Sequence, residues 1–376
     1  MDDELRQFDD SVRRVLADCA PPERLARWRE AGIVERDAWA QVAGAGLLGL
    51  SVAPEYGGAG GDFRHEAVLI RRLGLIGADG WGVPLHNGIV APYIENYGTE
   101  EQKRRWLPGM VSGELISAIA MTEPGAGSDL RGMRTVARSD GQGYRLSGQK
   151  TFISNGQLAD LIIVAARTGG PDSKAISLFG IETKDAEGFR RGRNLDKVGL
   201  EIGDTSELFF DDVPVHAANL IGGEEGRGLS QLMRQLPQER LIIAIEALAV
   251  IEAAVDHTID YVRQRRAFGQ RLIDFQNTQF RLAECKTEAM VARSFVDQCI
   301  ERFVCGEFDA EQASMAKLWV TERAQQVVDT CLQLFGGYGY MNEYPIAQMY
   351  KDVRVKRIYG GTSEIMKLLI ARSFEG

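Results

Sequence analysis

The sequence lacks the marks of a metal centre, a disulfide scaffold, a membrane span and a nucleic-acid binder. Its four histidines, His65, His86, His216 and His257, are far apart and form no H-x-x-x-H or Cys/His cluster, so no metal site is expected. The five cysteines, Cys19, Cys285, Cys299, Cys305 and Cys331, include no C-x-x-C pair. Their number is odd and four fall in helix-like stretches, which reads as reduced core thiols. No apolar run approaches the ~20 residues that cross a bilayer. Lys and Arg are spread out and the net charge is −9, which argues against nucleic acid as the main partner. The opening Met1-Asp-Asp-Glu-Leu is neither basic nor apolar, so no secretory or transit peptide is expected and the protein is placed in the cytoplasm. Internal repeats and low-complexity segments are also missing.

What is present is a chain of 376 residues, long enough for two or three cores. Residues 1–117 read as helical, with apolar residues at helical spacing over Asp9–Leu16 and Arg36–Leu48. Residues 118–225 change character. Leu161-Ile-Ile-Val-Ala-Ala, Ala175-Ile-Ser-Leu-Phe-Gly-Ile and Glu207-Leu-Phe-Phe are short β-rich runs between turns such as Asp140-Gly-Gln-Gly and Gly169-Gly-Pro-Asp. This segment is expected to form a compact, barrel-like β-domain. Residues 226–376 return to long amphipathic helices and a short last one from about Thr362, as in a helical bundle. The order helices, strands, helices defines an α+β assembly, not an alternating parallel sheet. Gly44-Ala-Gly-Leu-Leu-Gly49 matches G-x-G-x-x-G, yet a helix-like stretch precedes it and Ser51-Val-Ala-Pro follows. A dinucleotide fold needs a strand before and a helix after, so we read a Gly-ended helix.

Four segments carry candidate chemistry. Met121-Thr-Glu-Pro-Gly-Ala-Gly-Ser-Asp129 is a Pro-Gly bend with free N–H groups and two hydroxyls, Thr122 and Ser128. It reads either as an ordinary turn or as a nest for a phosphorylated ligand approached closely at Gly127. In Lys150-Thr-Phe-Ile-Ser-Asn-Gly156, Phe152 and Ser154 would share one strand face and could cover and hydrogen-bond a planar ring. Arg263, Arg265 and Arg266 end a helix, as dipole-favoured cations or as phosphate ligands. Gln333-Leu-Phe-Gly-Gly-Tyr-Gly-Tyr340 places glycines where a helix meets a loop, which alone is compatible with a Gly-capped end.

Together these segments resemble the acyl-CoA dehydrogenase family over essentially the whole chain. Met121–Asp129 looks like its first signature, and Gln333-x-x-Gly-Gly-x-Gly-Tyr340, continuing to Asp352, like its second. Phe152-Ile-Ser-Asn-Gly, Arg266-Ala-Phe-Gly-Gln and Tyr359-Gly-Gly-Thr-Ser-Glu-Ile follow in the expected order. Gln348 departs from the Lys or Arg usual in the second signature, a change expected to affect a surface or subunit contact. The resemblance implies an N-terminal helical domain, a middle β-domain and a C-terminal four-helix bundle, with FAD bound and a homotetramer (or homodimer) as the assembly. Carried across, Met121 and Thr122 would hold the flavin pyrimidine edge, with Gly127 and Ser128 near the pyrophosphate. Phe152 would pack on the ring, and Ser154 would approach N5. From a neighbouring subunit Arg265, Phe268, Gln276, Gln333, Gly336 and Gly337 would meet the ADP portion. Thr362 and Glu364 would also lie at the FAD.

The implied reaction removes an α-proton from an acyl-CoA thioester as a β-hydride passes to flavin N5. Many members place the base as Glu in Tyr-Glu-Gly-Thr; here that position is Gly360. A second family location matches Glu239 in Leu236-Pro-Gln-Glu-Arg-Leu-Ile-Ile, and these two segments look closest to the long-chain type. The plain alternatives for Glu239 are a first-turn carboxylate favoured by the helix dipole or a solvated charge. The resemblance makes Glu239 the base, the Gly360 backbone N–H a donor to the thioester oxygen, and Ser128, Pro237, Arg240, Gly360 and Gly361 substrate contacts. Gly360 is also expected to leave space beside the acyl chain. An electron-transferring flavoprotein is the expected acceptor. Desaturation of a carrier-protein-bound acyl group, or a flavin oxidase or N-hydroxylase on the same fold, are the alternative functions.

Overall fold

In the computed structural model the described residues are 3–170 and 173–375, so the Pro171-Asp172 half of the expected Gly169–Asp172 turn lies outside them. The N-terminal region forms α1 (Asp3–Cys19), α2 (Pro22–Ala31), α3 (Arg36–Gly44) and α4 (Phe63–Leu75). Next come the short α5 (Val83–Leu85), α6 (Ala91–Tyr97) and α7 (Glu100–Ser112). Asp62 and Thr99 start α4 and α7 with capping boxes, satisfying N–H groups that the first turn leaves without partners. Trp28, Trp39 and Trp81 pack as one buried aromatic group in this region. Helix α3 ends at Gly44 and among the described residues no strand precedes it, in keeping with the reading of that glycine run as a helix end.

The middle strands are β1 (Ser117–Ala120), β2 (Val136–Ser139), β3 (Gly143–Ser154), β4 (Leu161–Arg167), β5 (Ile176–Glu182), β6 (Phe189–Asn194) and β7 (Thr205–His216). They form one seven-stranded sheet whose centre is the antiparallel β3–β7 pair. The barrel-like expectation takes the form of an open, curled sheet, with β6 pairing only with β7 and β5 only with β4. Strand β4 is apolar and buried on both faces from Leu161 to Ala166, as a run without alternation should be. Pairing of β3 with β7 jumps from Lys150–Leu208 to Ile153–Ser206. That bulge sets Phe152 at φ 60°, so its position follows from the bulge and not from the regular alternation expected for Phe152 and Ser154.

Helix α8 (Gly228–Gln264) runs through the C-terminal region and is followed by the hairpin of β8 (Arg266–Ala267) and β9 (Gln270–Arg271). Then come α9 (Gln276–Val304), α10 (Ala310–Phe335), α11 (Pro345–Val353) and α12 (Ser363–Arg372). Every residue from Glu239 to Ile251 is buried, because α4, α9, α10 and α11 all pack against α8. Four cysteines are buried and free, as expected of core thiols; Cys305, at the end of α9, is exposed instead.

Candidate functional site

Glu239 lies about three turns inside α8, so neither alternative from the sequence holds. It is not in the first turn, and at 5% exposure it is not a solvated charge. Its Oε1 accepts a hydrogen bond from the Tyr93 hydroxyl at 2.8 Å. Burial pushes the carboxyl up to about 7, against the opposing pull of the Tyr93 bond and the Arg240 charge. Tyr93 sits on α6, directly after a π-helical turn, His86–Val90. The wider turn rotates the following residues out of α-helical register, a device common near functional sites.

One turn past Glu239, Ile243 packs against the loop Tyr359-Gly360-Gly361. Gly360 has φ 63°, and a Cβ there would lie 2.5 Å from Ile243 Cδ1 and 3.5 Å from Lys317 Cε. The expected free space beside Gly360 is therefore filled by Ile243. Two buried cations from separate helices hold the loop: Lys317 Nζ donates to the Gly361 carbonyl at 2.5 Å, and Arg240 Nε to that of Gly360 at 3.4 Å. Burial, helped by the nearby Arg240 charge, pulls Lys317 down to about 7. No acceptor among the described residues takes the Gly360 N–H, which remains an available donor. Gly360→Ala is expected to lower stability by roughly 1–3 kcal/mol, since the αL backbone and the Ile243 contact both oppose a side chain. An unchanged denaturation midpoint would rule out that account of the glycine.

Two turns past Glu239, Glu246 Oε2 accepts from the Tyr359 hydroxyl at 3.0 Å and from Lys356 Nζ at 3.0 Å. Lys356 also pairs with Asp79 at 2.7 Å, and its side chain is fully enclosed. Burial works against the charge of Lys356, yet the two carboxylates outweigh it and hold its pKa well above the lysine range.

The Met121–Asp129 segment forms a tight bend, with Glu123 and Ala126 exchanging backbone bonds of 2.9 and 3.1 Å. Lys150, with no exposed surface, fastens it by donating to the Met121 carbonyl at 3.0 Å and to Glu123 Oε1 at 2.9 Å. Thr151 N–H donates to the Thr122 carbonyl at 3.0 Å. A Cβ at Gly125 or Gly127 would meet nothing within 4 Å. Phe152 stands beside this bend, 66% exposed in a backbone conformation that a bulky residue rarely adopts. A strained, uncovered aromatic next to a firmly pinned, open glycine bend is what a planar phosphorylated ligand would require. Ser154 is half-buried and Ser128 exposed. Thr362 Oγ1 caps α12 by accepting from Ile365 N–H at 3.3 Å. Glu364, exposed in the same first turn, is held below the usual carboxylate range by hydrogen bonds from backbone and Thr362.

A second group gathers where α8 ends. Arg265 lies over the Tyr338 ring at 5.2 Å, which joins the arginine segment to the Gly336–Tyr340 turn. Phe268 is 97% exposed, and Gln276, Gln333, Gly336 and Gly337 are exposed as well. Along α8 this group is about 40 Å from Glu239, so within one chain it belongs to no common pocket with it. Gln348 makes an intrachain contact, donating at 2.8 Å to Asp352 Oδ1. Asp352 is buried, and burial together with the Asp79 charge pushes it up to about 7. The amide at position 348 and the Arg29 charge oppose that rise. The sequence reading missed Tyr93, Lys317, Lys356 and Lys150. Lys317 had a signal, as a lone cation in the apolar stripe Ala313, Ala316, Val320 and Ala324; Tyr93 had none.

This is a helical, sheet and helical assembly with a buried carboxylate beside a glycine loop and an open, pinned bend on the middle domain. Three domain models of one family match the chain: acyl-CoA dehydrogenase N-terminal domain over residues 2–114, middle domain over 118–213 and C-terminal domain over 226–374. The long-chain specific acyl-CoA dehydrogenase, mitochondrial, of Sus scrofa is 47% identical over 368 residues, covering 97% of this chain and 85% of that protein. The crystal structure of an acyl-CoA dehydrogenase from Geobacillus kaustophilus superposes with a TM-score of 0.97 at 48% identity, covering 100% of this chain and 99% of that one. A glutaryl-CoA dehydrogenase from Mycobacterium smegmatis, in complex with FADH2, superposes at 0.92 with 30% identity, covering 100% and 95%. The chain belongs to the acyl-CoA dehydrogenase family.

Proposed function

We propose that this protein is an FAD-dependent dehydrogenase that converts an acyl-CoA thioester to the trans-2-enoyl-CoA, with Glu239 taking the α-proton. The observation that carries the reading is the Glu239 carboxyl, buried and raised to about 7, one turn from the residue packed on Gly360. An α-carbon beside a thioester is a very weak acid. A carboxylate removes its proton effectively only when it is dry and basic and the carbonyl oxygen is polarised. The free Gly360 N–H supplies a donor for that oxygen. Lys317 and Arg240 serve by fixing the loop that carries it. Ser128, Pro237, Arg240 and Gly361 border the substrate in this reading.

The bend and Phe152 fit a flavin. Met121, Thr122, Gly127, Ser128, Phe152, Ser154, Thr362 and Glu364 would hold FAD, which supplies a hydride acceptor when bound. Arg265, Phe268, Gln276, Gln333, Gly336 and Gly337 would hold the distal part of FAD belonging to a second copy. Their exposure and their distance from Glu239 support this, and the reading makes the protein a homodimer or homotetramer. Electron-transferring flavoprotein is the proposed acceptor and the cytoplasm the proposed location.

Anaerobic addition of a panel of acyl-CoAs is expected to bleach the flavin absorbance of the purified holoprotein. Bleaching by carrier-bound acyl groups alone would replace the CoA ester as substrate. Rapid peroxide formation in air would point to an oxidase.

A further inference from the structure

The Glu239 carboxylate has two oxygens in different situations. Oε1 receives the Tyr93 hydroxyl at 2.8 Å. Among the described residues no hydrogen bond reaches Oε2. Both side chains are buried, Tyr93 with no exposed surface. A buried carboxylate without a fixed partner samples several torsions, and a hydroxyl donor to one oxygen removes that freedom. It also favours the charged form, the one a base must be in.

We propose that Tyr93 is the positioning residue of Glu239: its hydroxyl occupies Oε1, orients the carboxylate and leaves Oε2 as the oxygen that accepts the substrate proton. The proposal rests on Glu239 being the base. Tyr93 itself gains or loses no proton, and burial and the Glu239 charge push its own pKa well above the tyrosine range. The proton taken up by Oε2 leaves a neutral acid still bonded to Tyr93, so the bond is strongest before abstraction and weakens after it.

Several groups face this carboxylate. Tyr93 comes from α6, and Arg240 from α8 itself. Lys317, on α10, faces Arg240, whose charge lowers its pKa. Tyr97, one turn beyond Tyr93, has its ring 6.1 Å from the Tyr93 ring and makes no bond to Glu239. The two cations remain in a Tyr93 variant, so a change in Glu239 titration there reports the lost hydroxyl.

The test uses the holoprotein and Tyr93→Phe, which keeps the ring and its packing. Two quantities are read. One is the pH dependence of the rate of anaerobic flavin reduction by an acyl-CoA. The other is the titration of the Glu239 carboxyl itself by infrared difference spectroscopy, with Glu239→Gln as the blank and no substrate present.

Tyr93→Phe is expected to move both midpoints alkaline by about one to two pH units, the effect of one hydrogen bond to a charged group. It is also expected to lower the high-pH reduction rate by about tenfold through lost orientation. Tyr97→Phe should leave both midpoints in place. If neither midpoint moves in Tyr93→Phe, the proposal is overturned. If Glu239→Gln still reduces its flavin at the native rate, the base assignment fails instead. The infrared titration then still reports whether Tyr93 sets the ionisation of Glu239.

Discussion

Glu239→Gln is expected to slow anaerobic flavin reduction by acyl-CoA by about 10³-fold, within the range that loss of a general base produces. The amide keeps the shape and can still accept from Tyr93, so substrate affinity should change little. In the native protein the reduction rate should rise with pH through a midpoint near 7 and then level off, because only the ionised carboxyl takes a proton. A near-native rate in the glutamine variant would remove Glu239 from the chemistry.

The same substitution carries a stability signature of opposite sign. The folded carboxyl titrates near 7 against an ordinary value of 4.5. Between those values the folded state binds more protons than the unfolded one, so stability falls as pH rises. Above pH 7 the ionised, buried group costs roughly 3 kcal/mol. Glu239→Gln should therefore gain denaturation free energy relative to the native protein near pH 8, and show little gain near pH 4. Equal stability at both ends would mean that the carboxylate is not desolvated in solution. A residue that is costly to the fold and needed for turnover is what a working base looks like.

Lys356→Met is the second large effect, and it falls on the fold. It leaves Asp79 and Glu246 buried without their shared cation, 2.7 and 3.0 Å from the vacated ammonium position. Removing one partner of a buried ion pair costs about 3–5 kcal/mol. The sign with pH is distinctive. In the native protein Lys356 is raised, so its contribution is complete below the ordinary lysine pKa of 10.5 and is lost only as pH climbs through the higher folded value. In the variant Glu246, already raised by burial, loses the cation that opposes the rise, so the variant loses stability as pH rises past about 4.5. Urea denaturation near pH 5 and pH 8 should give a smaller deficit at the lower pH. A deficit that is the same at both would show that Lys356 acts by packing alone. Tyr359 bonds to the same Glu246, so the loop carrying Gly360 should loosen together with the network.

Much of the architecture was legible because its signals are local. Periodicity marks helices, and the unbroken apolar run Leu161–Ala166 marks a strand buried on both faces. The wrong expectations concerned what lies across from a residue. Gly360 read as an empty place, since a glycine has no side chain, yet Ile243 occupies that volume from another helix. Phe152 read as part of a regular strand, whereas one extra residue relative to β7 sets its unusual backbone.

The sequence by itself determined the three-part order, the glycine bend at Met121–Asp129 and the replacement of a carboxylate by Gly360, all of which follow from residue types and short-range spacing. Only the tertiary structure decided that Glu239 is dry, that Tyr93 holds one of its oxygens, and that Lys317 and Arg240 pin the glycine loop. Those facts join residues from 44 to 146 positions apart. The pKa of a carboxyl depends on what surrounds it in space, and neighbours along the chain do not specify those surroundings.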